Sequence, residues 1–212
     1  MEKVEVVIAT RNAGKLREIQ EILAPLGLKV LSLRDFPEIP EILEDGQTFE
    51  ENAGKKAAAV ARQTRRVAIA DDSGLTVDAL QGRPGVFSSR YAGEDATDAD
   101  RYRKLLKEMA DVPEGQRKAA FICAVAIASP NGKVEVVKGE CRGEIALAPK
   151  GIHGFGYDPV FYFPEAGKTM AELEPEVKNR ISHRARALAK LKQVLPKFLK
   201  NKINNKSPMG QR

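Results

Sequence analysis

The chain has 212 residues, 42% hydrophobic and 30% charged, the balance of a globular protein of one large domain or two small lobes. No apolar run approaches the ~20 residues of a membrane span, Val4–Ala9 opens as a strand rather than a secretory signal, and Cys123 and Cys141 lack metal-ligand spacing and read as reduced core residues, so a cytoplasmic protein is expected. The net charge of +6 is uneven: Lys178 to Arg212 holds 11 bases and no acids, leaving 24 bases against 29 acids before it, which suits a nucleic-acid surface, an anion site or, on charge alone, a solvated helix face with a basic tail.

Val4–Ala9 reads as a buried strand opening into Thr10-Arg11-Asn12-Ala13-Gly14-Lys15, after which Leu16, Ile19, Leu23 and Leu26 recur at helical spacing. This loop joins a strand to a helix start, where backbone N–H groups bind anions and Lys15 adds a point charge. It resembles half of a P-loop, but the first glycine is absent and Leu16 stands where a Ser or Thr would hold magnesium. A Walker A motif is excluded; a generic phosphate site and an ordinary strand-to-helix turn both stay open.

Leu28–Leu33 is a second strand, and the loop from Phe36 to Pro40 leads through Glu41–Gly46 to Thr48. Thr48 caps a helix, with Glu51 three residues on completing a capping box. Phe49, Ala53, Ala57 and Val60 form its inner stripe, Lys55 and Lys56 fall on its solvated side, and Glu44 precedes it as a surface carboxylate favoured by the helix dipole.

Val67-Ala68-Ile69-Ala70 is a buried strand running directly into Asp71-Asp72-Ser73-Gly74. Two adjacent carboxylates leave that strand where Gly74 permits a turn, and ligands of open α/β sheets sit outside the carboxyl ends of strands. The run reads equally as an Asp-rich turn with both acids in water.

After the loop Gly82-Arg83-Pro84-Gly85 and the run Ser88-Ser89-Arg90-Tyr91, Thr97 or Asp98 caps a helix carrying Tyr102, Leu105, Leu106 and Met109. Ala119–Ala128 is a long apolar strand, turned by Asn131-Gly132 into Val134–Val137, the strongest hairpin signal in the chain. Gly143–Ala148 gives another strand, and the antiparallel element makes the sheet mixed. In the glycine-rich loop Gly151 to Pro159, Phe155 stands between two glycines and suits base stacking; packing of Phe155 and Tyr157 on the next strand, Val160–Phe163, is the equal alternative. Pro175–Leu199 reads as one long helix or a broken pair, with Lys178, Arg180, His183, Arg184 and Arg186 at its start, and residues 200–212 read as a disordered basic tail.

Taken together, Thr10-x-Asn12-x-x-Lys15, Glu44 with Gly46-x-Thr48-Phe49-x-Glu51-Asn52-Ala53, Ala70-Asp71-Asp72-Ser73-Gly74-Leu75, Pro84-Gly85, Ser89-Arg90-Tyr91, Gly154-Phe155-Gly156-Tyr157-Asp158-Pro159 and Ser182-His183-Arg184 form one ordered set. This set resembles the inosine triphosphate pyrophosphatase family, also called dITP/XTP pyrophosphatases, which hydrolyse non-standard purine nucleoside triphosphates to monophosphate and pyrophosphate. The likeness runs from residue 4 to about residue 196; no piece is decisive alone, and their joint occurrence is specific. It implies an α/β fold with a long mixed central β-sheet flanked by helices, two lobes around a central cleft, and a single domain over residues 1–199. It further implies a homodimer with no stable nucleic-acid or membrane partner.

The resemblance also implies roles. Thr10, Arg11, Asn12, Ala13, Gly14 and Lys15 would cradle the triphosphate, with Lys56 a second phosphate contact. Glu44 and Asp72 would bind magnesium, with manganese as a substitute, and Asp72 would also activate water. Ser73 would touch substrate, and Phe155 would stack on the purine with Gly156, Tyr157 and Asp158 completing that wall. Lys178, His183 and Arg184 would line the base and phosphate end. Cleavage at the α-phosphate, to release pyrophosphate from ITP, dITP or XTP, is implied by the resemblance alone.

The chemistry is coherent with these roles. Magnesium prefers oxygen ligands and keeps several waters, so two carboxylates and substrate oxygens suffice, and a carboxylate can take the proton of an attacking water. No Cys/His or Ser/His pair is placed as a covalent dyad, so direct water attack is expected. Two rivals stand beside this reading: a pyrophosphatase for modified pyrimidine nucleotides, and a nucleic-acid-binding module built on the basic C-terminal segment. The second would bind with steep salt dependence and leaves the acidic pair and both glycine-rich loops without a role.

Overall fold

Alternating runs of β-branched and small residues build the centre of the molecule, and a computed structural model describes residues 3–204. Strands β1 (Glu5–Ile8), β2 (Lys29–Ser32), β3 (Val67–Val77), β4 (Lys118–Ala128), β5 (Val134–Ile145), β6 (Phe161–Phe163) and β7 (Lys168–Thr169) form one sheet in the order β2-β1-β3-β4-β5-β6-β7. β1 is parallel to β2 and β3, and every later pairing is antiparallel. Helices α1 (Ala13–Leu23), α2 (Phe49–Thr64), α3 (Asp98–Glu108), α4 (Pro175–Ile181) and α5 (His183–Asn204) flank it. The expected α/β class with a mixed sheet is what the chain adopts. No helix among the described residues is long and apolar enough to cross a membrane.

Strand alternation distributes the core. Ile8, Ile69 and Val125 face one side of the sheet, against Ile19 of α1 and Leu188 and Leu191 of α5. Ala68, Ala70 and Ala126 face the other, against Phe49, Ala53 and Val60 of α2. Farther along the same strands, Leu75, Phe121 and Ile145 pack with Phe161 of β6 and with Leu105 and Met109 of α3. Each fully buried Ile or Leu contributes roughly 1.5–3 kcal/mol by leaving water. β3, β4 and β5 therefore pass through one packed region and into another, with Asp71–Gly74 at the junction.

Several local expectations change. Gly74 makes no turn, because β3 continues through it to Val77. A Cβ at that position would stand 2.5 Å from both the Gly85 carbonyl and Ser88 Oγ, so the glycine admits a crossing chain. Val134–Val137 and Gly143–Ile145 belong to the single strand β5, and Ala146–Ala148 of the expected second strand lie beyond its end. Gly139, within it, lets the start of α5 lie directly on the strand, where a Cβ would strike the His183 carbonyl and Ala187 N. Thr48 Oγ1 caps α2 by accepting from Glu51 N, but Glu51 reaches past Thr48 to the Gln47 N–H, so the capping box does not close. Thr97 caps α3 with Asp100. The C-terminal segment is a broken pair, interrupted at Ser182. α5 runs on past residue 199 to Asn204; the rest of the expected tail, 205–212, lies outside the described residues. Cys123 and Cys141 are both free and buried.

Candidate active site

β1 ends at Ile8, opposite Ile69, so β3 runs on past the carboxyl end of its parallel neighbour. Asp71 and Asp72 fall there, and alternation sends them to opposite faces. Asp71 turns toward α1 and α5. Its Oδ2 receives Lys15 Nζ at 3.1 Å, Arg184 Nε and Nη2 at 3.2 and 3.0 Å, and Ser73 Oγ at 2.7 Å. Burial alone would raise its proton affinity, but Lys15, Arg184 and Lys56 hold the carboxyl well below the usual range. Asp72 turns toward α2, accepting from Asn52 Nδ2 at 3.0 Å and from the Ser73 N–H at 2.9 Å. Burial raises its pKa, with Lys15 opposing and Glu44 reinforcing the shift. One aspartate is a fixed anion; its neighbour is suited to take a proton.

Lys15 reaches Asp71 from the first turn of α1, whose cap is Asn12: its Oδ1 accepts from Lys15 N at 3.0 Å, and its own N–H donates to Thr10 Oγ1 at 3.2 Å. Arg11 is turned to the Ile39 carbonyl at 2.6 Å. Lys56 departs from expectation, being half-buried against Glu44 with its side chain 12% exposed, while Lys55 takes the exposed Asp45. The reason is helical geometry. Lys56 stands four residues after Asn52, the residue that holds Asp72, and so shares its face. Burial would lower the Lys56 pKa, but Asp71 and Glu44 raise it.

At the other end, the break at Ser182 brings α4 and α5 to the same place. Lys178 Nζ lies 2.5 Å from Asp158 Oδ2 and 2.9 Å from Glu18 Oε1, and Arg184 Nη1 pairs with the second Glu18 oxygen. Arg184 Nη2 also donates to Ser73 Oγ at 3.1 Å. Most of the Arg184 donors are thus directed at protein acceptors, which makes it a clamp on Asp71. The Phe155 ring is half-buried, 4.7 Å from Lys178 Nζ and 5.6 Å from Arg184 Cζ. Asp158 anchors the loop by accepting the Phe155 N–H at 2.8 Å, and Tyr157 is buried and donates to the Ser88 carbonyl at 2.8 Å. His183 stacks on Phe121 with ring centroids 4.7 Å apart. Burial, Arg184 and Lys178 hold its pKa well below 6.5, and its Nδ1 is buried without a partner among the described residues.

These groups line a cavity of about 140 Å³ that reaches from Asn12 and Lys15 past Asp72 and Ser73 to Phe155, Lys178, His183 and Arg184. Gly156, Tyr157 and Asp158 line it too. Asn12, Lys15 and Glu44 also border a wider groove of about 700 Å³, lined further by Thr10, Arg11 and Lys56. Ala13 and Gly14 lie in the first turn of α1 outside both, and a Cβ on Gly14 would stand 2.7 Å from the Phe155 ring. The narrow end suits a flat ring, and the wide end, with its cations, suits phosphates.

No place at the site was expected for Glu18, Asn52, Asp98 or Arg101, Asp98 being named only as an alternative helix cap. Asn52 left a trace, as a polar residue on the apolar stripe of α2 between Phe49 and Ala53. Glu18, beside the Ile19–Leu23 stripe, reads as an ordinary surface acid. Asp98 and Arg101 line the cavity from α3, at a spacing indistinguishable from a helix-surface ion pair.

Comparison with known proteins places the chain in a family. A family model described as the Ham1 family matches residues 6–194. A protein of Geobacillus kaustophilus named dITP/XTP pyrophosphatase is 60% identical over 187 residues, covering 88% of this chain and 92% of its own. One of the same name from Geobacter sulfurreducens is 56% identical over 190 residues, covering 90% and 96%. The solved structure of a HAM1 protein from Coxiella burnetii superposes with a TM-score of 0.84 at 47% identity, covering 92% of this chain and 99% of that one. The Staphylococcus aureus Ham1 protein gives 0.81 at 41% identity, covering 91% and 98%. A family model over most of the chain and relatives at this identity agree: the chain belongs to the Ham1 family.

Proposed function

We propose that this chain is a nucleoside-triphosphate pyrophosphatase that hydrolyses dITP, ITP and XTP to the monophosphate and pyrophosphate, removing deaminated purines from the nucleotide pool. The observation that carries the reading is the pairing of opposite carboxylates on β3. Asp71 is locked by Lys15 and Arg184, whereas Asp72, with its raised pKa, faces the cavity. Relatives named dITP/XTP pyrophosphatase share most of the chain with it.

In this mechanism the triphosphate lies in the wide groove, where Lys15 and Lys56 neutralise it. Asp72, kept in place by Asn52 and the Ser73 N–H, takes the proton of the attacking water. A carboxylate with raised proton affinity is the stronger base for that task. Asp71 acts through Lys15, fixing its ammonium. The base enters the narrow end beside Phe155, where Lys178 and the unpartnered His183 Nδ1 are placed to meet its polar edge.

The donor set fits a hard divalent cation. Asp72 and Glu44 are oxygen donors close enough for the charge of one to raise the proton affinity of the other, a repulsion that a cation relieves. Two carboxylates beside phosphate oxygens are a ligand set that magnesium, an ion that keeps several waters, accepts. When bound, it would supply charge neutralisation at the phosphates and acidify water. The test is pyrophosphate release from ITP, dITP, XTP, ATP and GTP with magnesium and with excess chelator. Turnover of the first three, abolished by chelation, is expected; equal turnover of ATP, or full activity in chelator, would overturn the reading.

A further inference from the structure

We infer that Arg101, presented from α3 by Asp98, reads the substituent at position 2 of the purine ring and favours xanthine there. The inference rests on the reading of the narrow cavity as a purine pocket.

Arg101 and Asp98 line the same cavity as Phe155, Lys178 and His183. Asp98 holds two groups at once: Oδ2 accepts the Gly156 N–H at 2.7 Å, and Oδ1 takes Arg101 Nη1 at 2.7 Å. The guanidinium is therefore tied to the loop that forms the wall of the pocket. Among the described residues it donates to Asp98 alone, its side chain is only 18% exposed, and its Nε is buried without a partner. Arginine has five N–H donors and no acceptor, and buried donors left without acceptors are costly. An acceptor brought by a ligand completes the site.

Position 2 is chosen because the loop joins two walls that each present a cation. On one side Asp158 holds Lys178 of α4; on the other, the Gly156 N–H holds Asp98 of α3. The purine is taken to lie along this loop with its 6-oxo group toward Lys178 and with C2, across N1, toward α3, the side from which Arg101 lines the cavity. There hypoxanthine carries only a hydrogen, guanine an amino donor and xanthine an oxygen. The xanthine ring of a nucleoside also gives up a ring proton near neutral pH, leaving negative charge shared with that oxygen. A guanidinium thus pairs with xanthine, is indifferent to hypoxanthine, and meets the amino group of guanine donor against donor. The same residue would help to refuse GTP, which shares the 6-oxo group.

The test compares wild type with Arg101→Gln and Arg101→Leu. It measures kcat/KM for XTP, ITP, dITP and GTP, and binding of XMP and IMP by calorimetry without metal. The XTP-to-ITP ratio should fall at least ~10-fold in both variants, the share of a hydrogen bond to a charged group. The XMP-to-IMP affinity ratio should fall in step, while the dITP-to-ITP ratio holds. Arg101→Gln, whose amide can accept from an amino group, should also raise GTP relative to ITP. Unchanged XTP-to-ITP and XMP-to-IMP ratios would overturn the inference alone, and so would a shift in dITP-to-ITP, which would move Arg101 to the sugar. A wild type inactive on all four triphosphates would overturn the pocket reading and this inference with it. If Arg101→Leu fails to fold, Arg101→Gln and the two monophosphate affinities decide.

Discussion

The two ends of the cleft handle buried charge differently. At the base end Asp158, Lys178, Glu18, Arg184 and Asp71 form a continuous chain of ion pairs, each member held by the next. At the phosphate end Lys56 meets Glu44, whose side chain is 31% exposed, and Asp72 has the neutral Asn52 as its side-chain partner. The first end is assembled before any ligand arrives, so a base meets fixed dipoles and charges. The second holds groups whose partners can be exchanged when a multiply charged ligand and a cation enter. In the proposed mechanism, recognition and chemistry are thus separated along β3 by rigidity as well as by position.

The harshest way to break this contrast is Arg184→Ala. Removing one partner from a buried ionic network leaves uncompensated charge, here on Glu18 and Asp71, and a loss of about 3–5 kcal/mol is expected in urea unfolding. Lys56→Ala, at the exchangeable end, should lose much less. Comparable losses would mean that the two ends do not differ.

Asp72→Asn should lower kcat at least ~10²-fold in steady-state assays, the usual range for a general base. Asparagine keeps the shape but offers one acceptor oxygen to the two donors Asn52 Nδ2 and the Ser73 N–H, so any fall in melting temperature should be small, about that of one hydrogen bond. Activity within a few-fold of wild type would remove Asp72 from the chemistry.

Gly74→Ala sharpens the boundary between the ends. Its Cβ would press on the Gly85 carbonyl and Ser88 Oγ, and overpacking of this kind costs about 1–3 kcal/mol in chemical denaturation. A glycine serving only an open turn would tolerate the change.

The smallest effect expected is in pH dependence. His183 is buried and its folded pKa is depressed, so below about pH 6.5 the unfolded chain binds the proton more readily and stability falls with pH, by at most about 1.4 kcal/mol per unit. Asp72, with a raised pKa, acts in the opposite sense. Melting temperatures of wild type and His183→Phe between pH 7.5 and 5, a range set on the order of one to two units about the ordinary histidine value, should separate the two. The variant, which can still stack on Phe121, should show the flatter profile.

What could be read from the sequence was local. The helix start after Thr10–Lys15, the stripe of α2 and the Asn131-Gly132 hairpin follow from short-range rules, whereas the residues expected at the site came from the resemblance, and many of them line one cavity. The role of Gly74 did not follow, because the atoms that exclude a Cβ belong to Gly85 and Ser88 and arrive only with the fold. β5 read as two strands because Gly139 and Gly143 interrupt its pattern, although Gly139 is there to admit α5. Lys55 and Lys56 are indistinguishable by composition, and only the face of α2 decides which one is half-buried. Glu18 could not be found at all, since its partners lie on helices more than 150 residues away.

Adjacent aspartates on opposite faces of β3 also constrain how the gene can change. A strand tolerates substitution more easily than a change in length, because a slip of one residue carries every side chain to the other face. A single-codon insertion or deletion between Val67 and Asp71 would exchange the two acids, sending the proton acceptor toward Arg184 and the clamped anion toward Asn52. Length variation among descendants of this chain should therefore collect in the connections, such as Gly82–Gly85 or Asn131-Gly132, and avoid β3 even at positions where the side chain itself is replaceable.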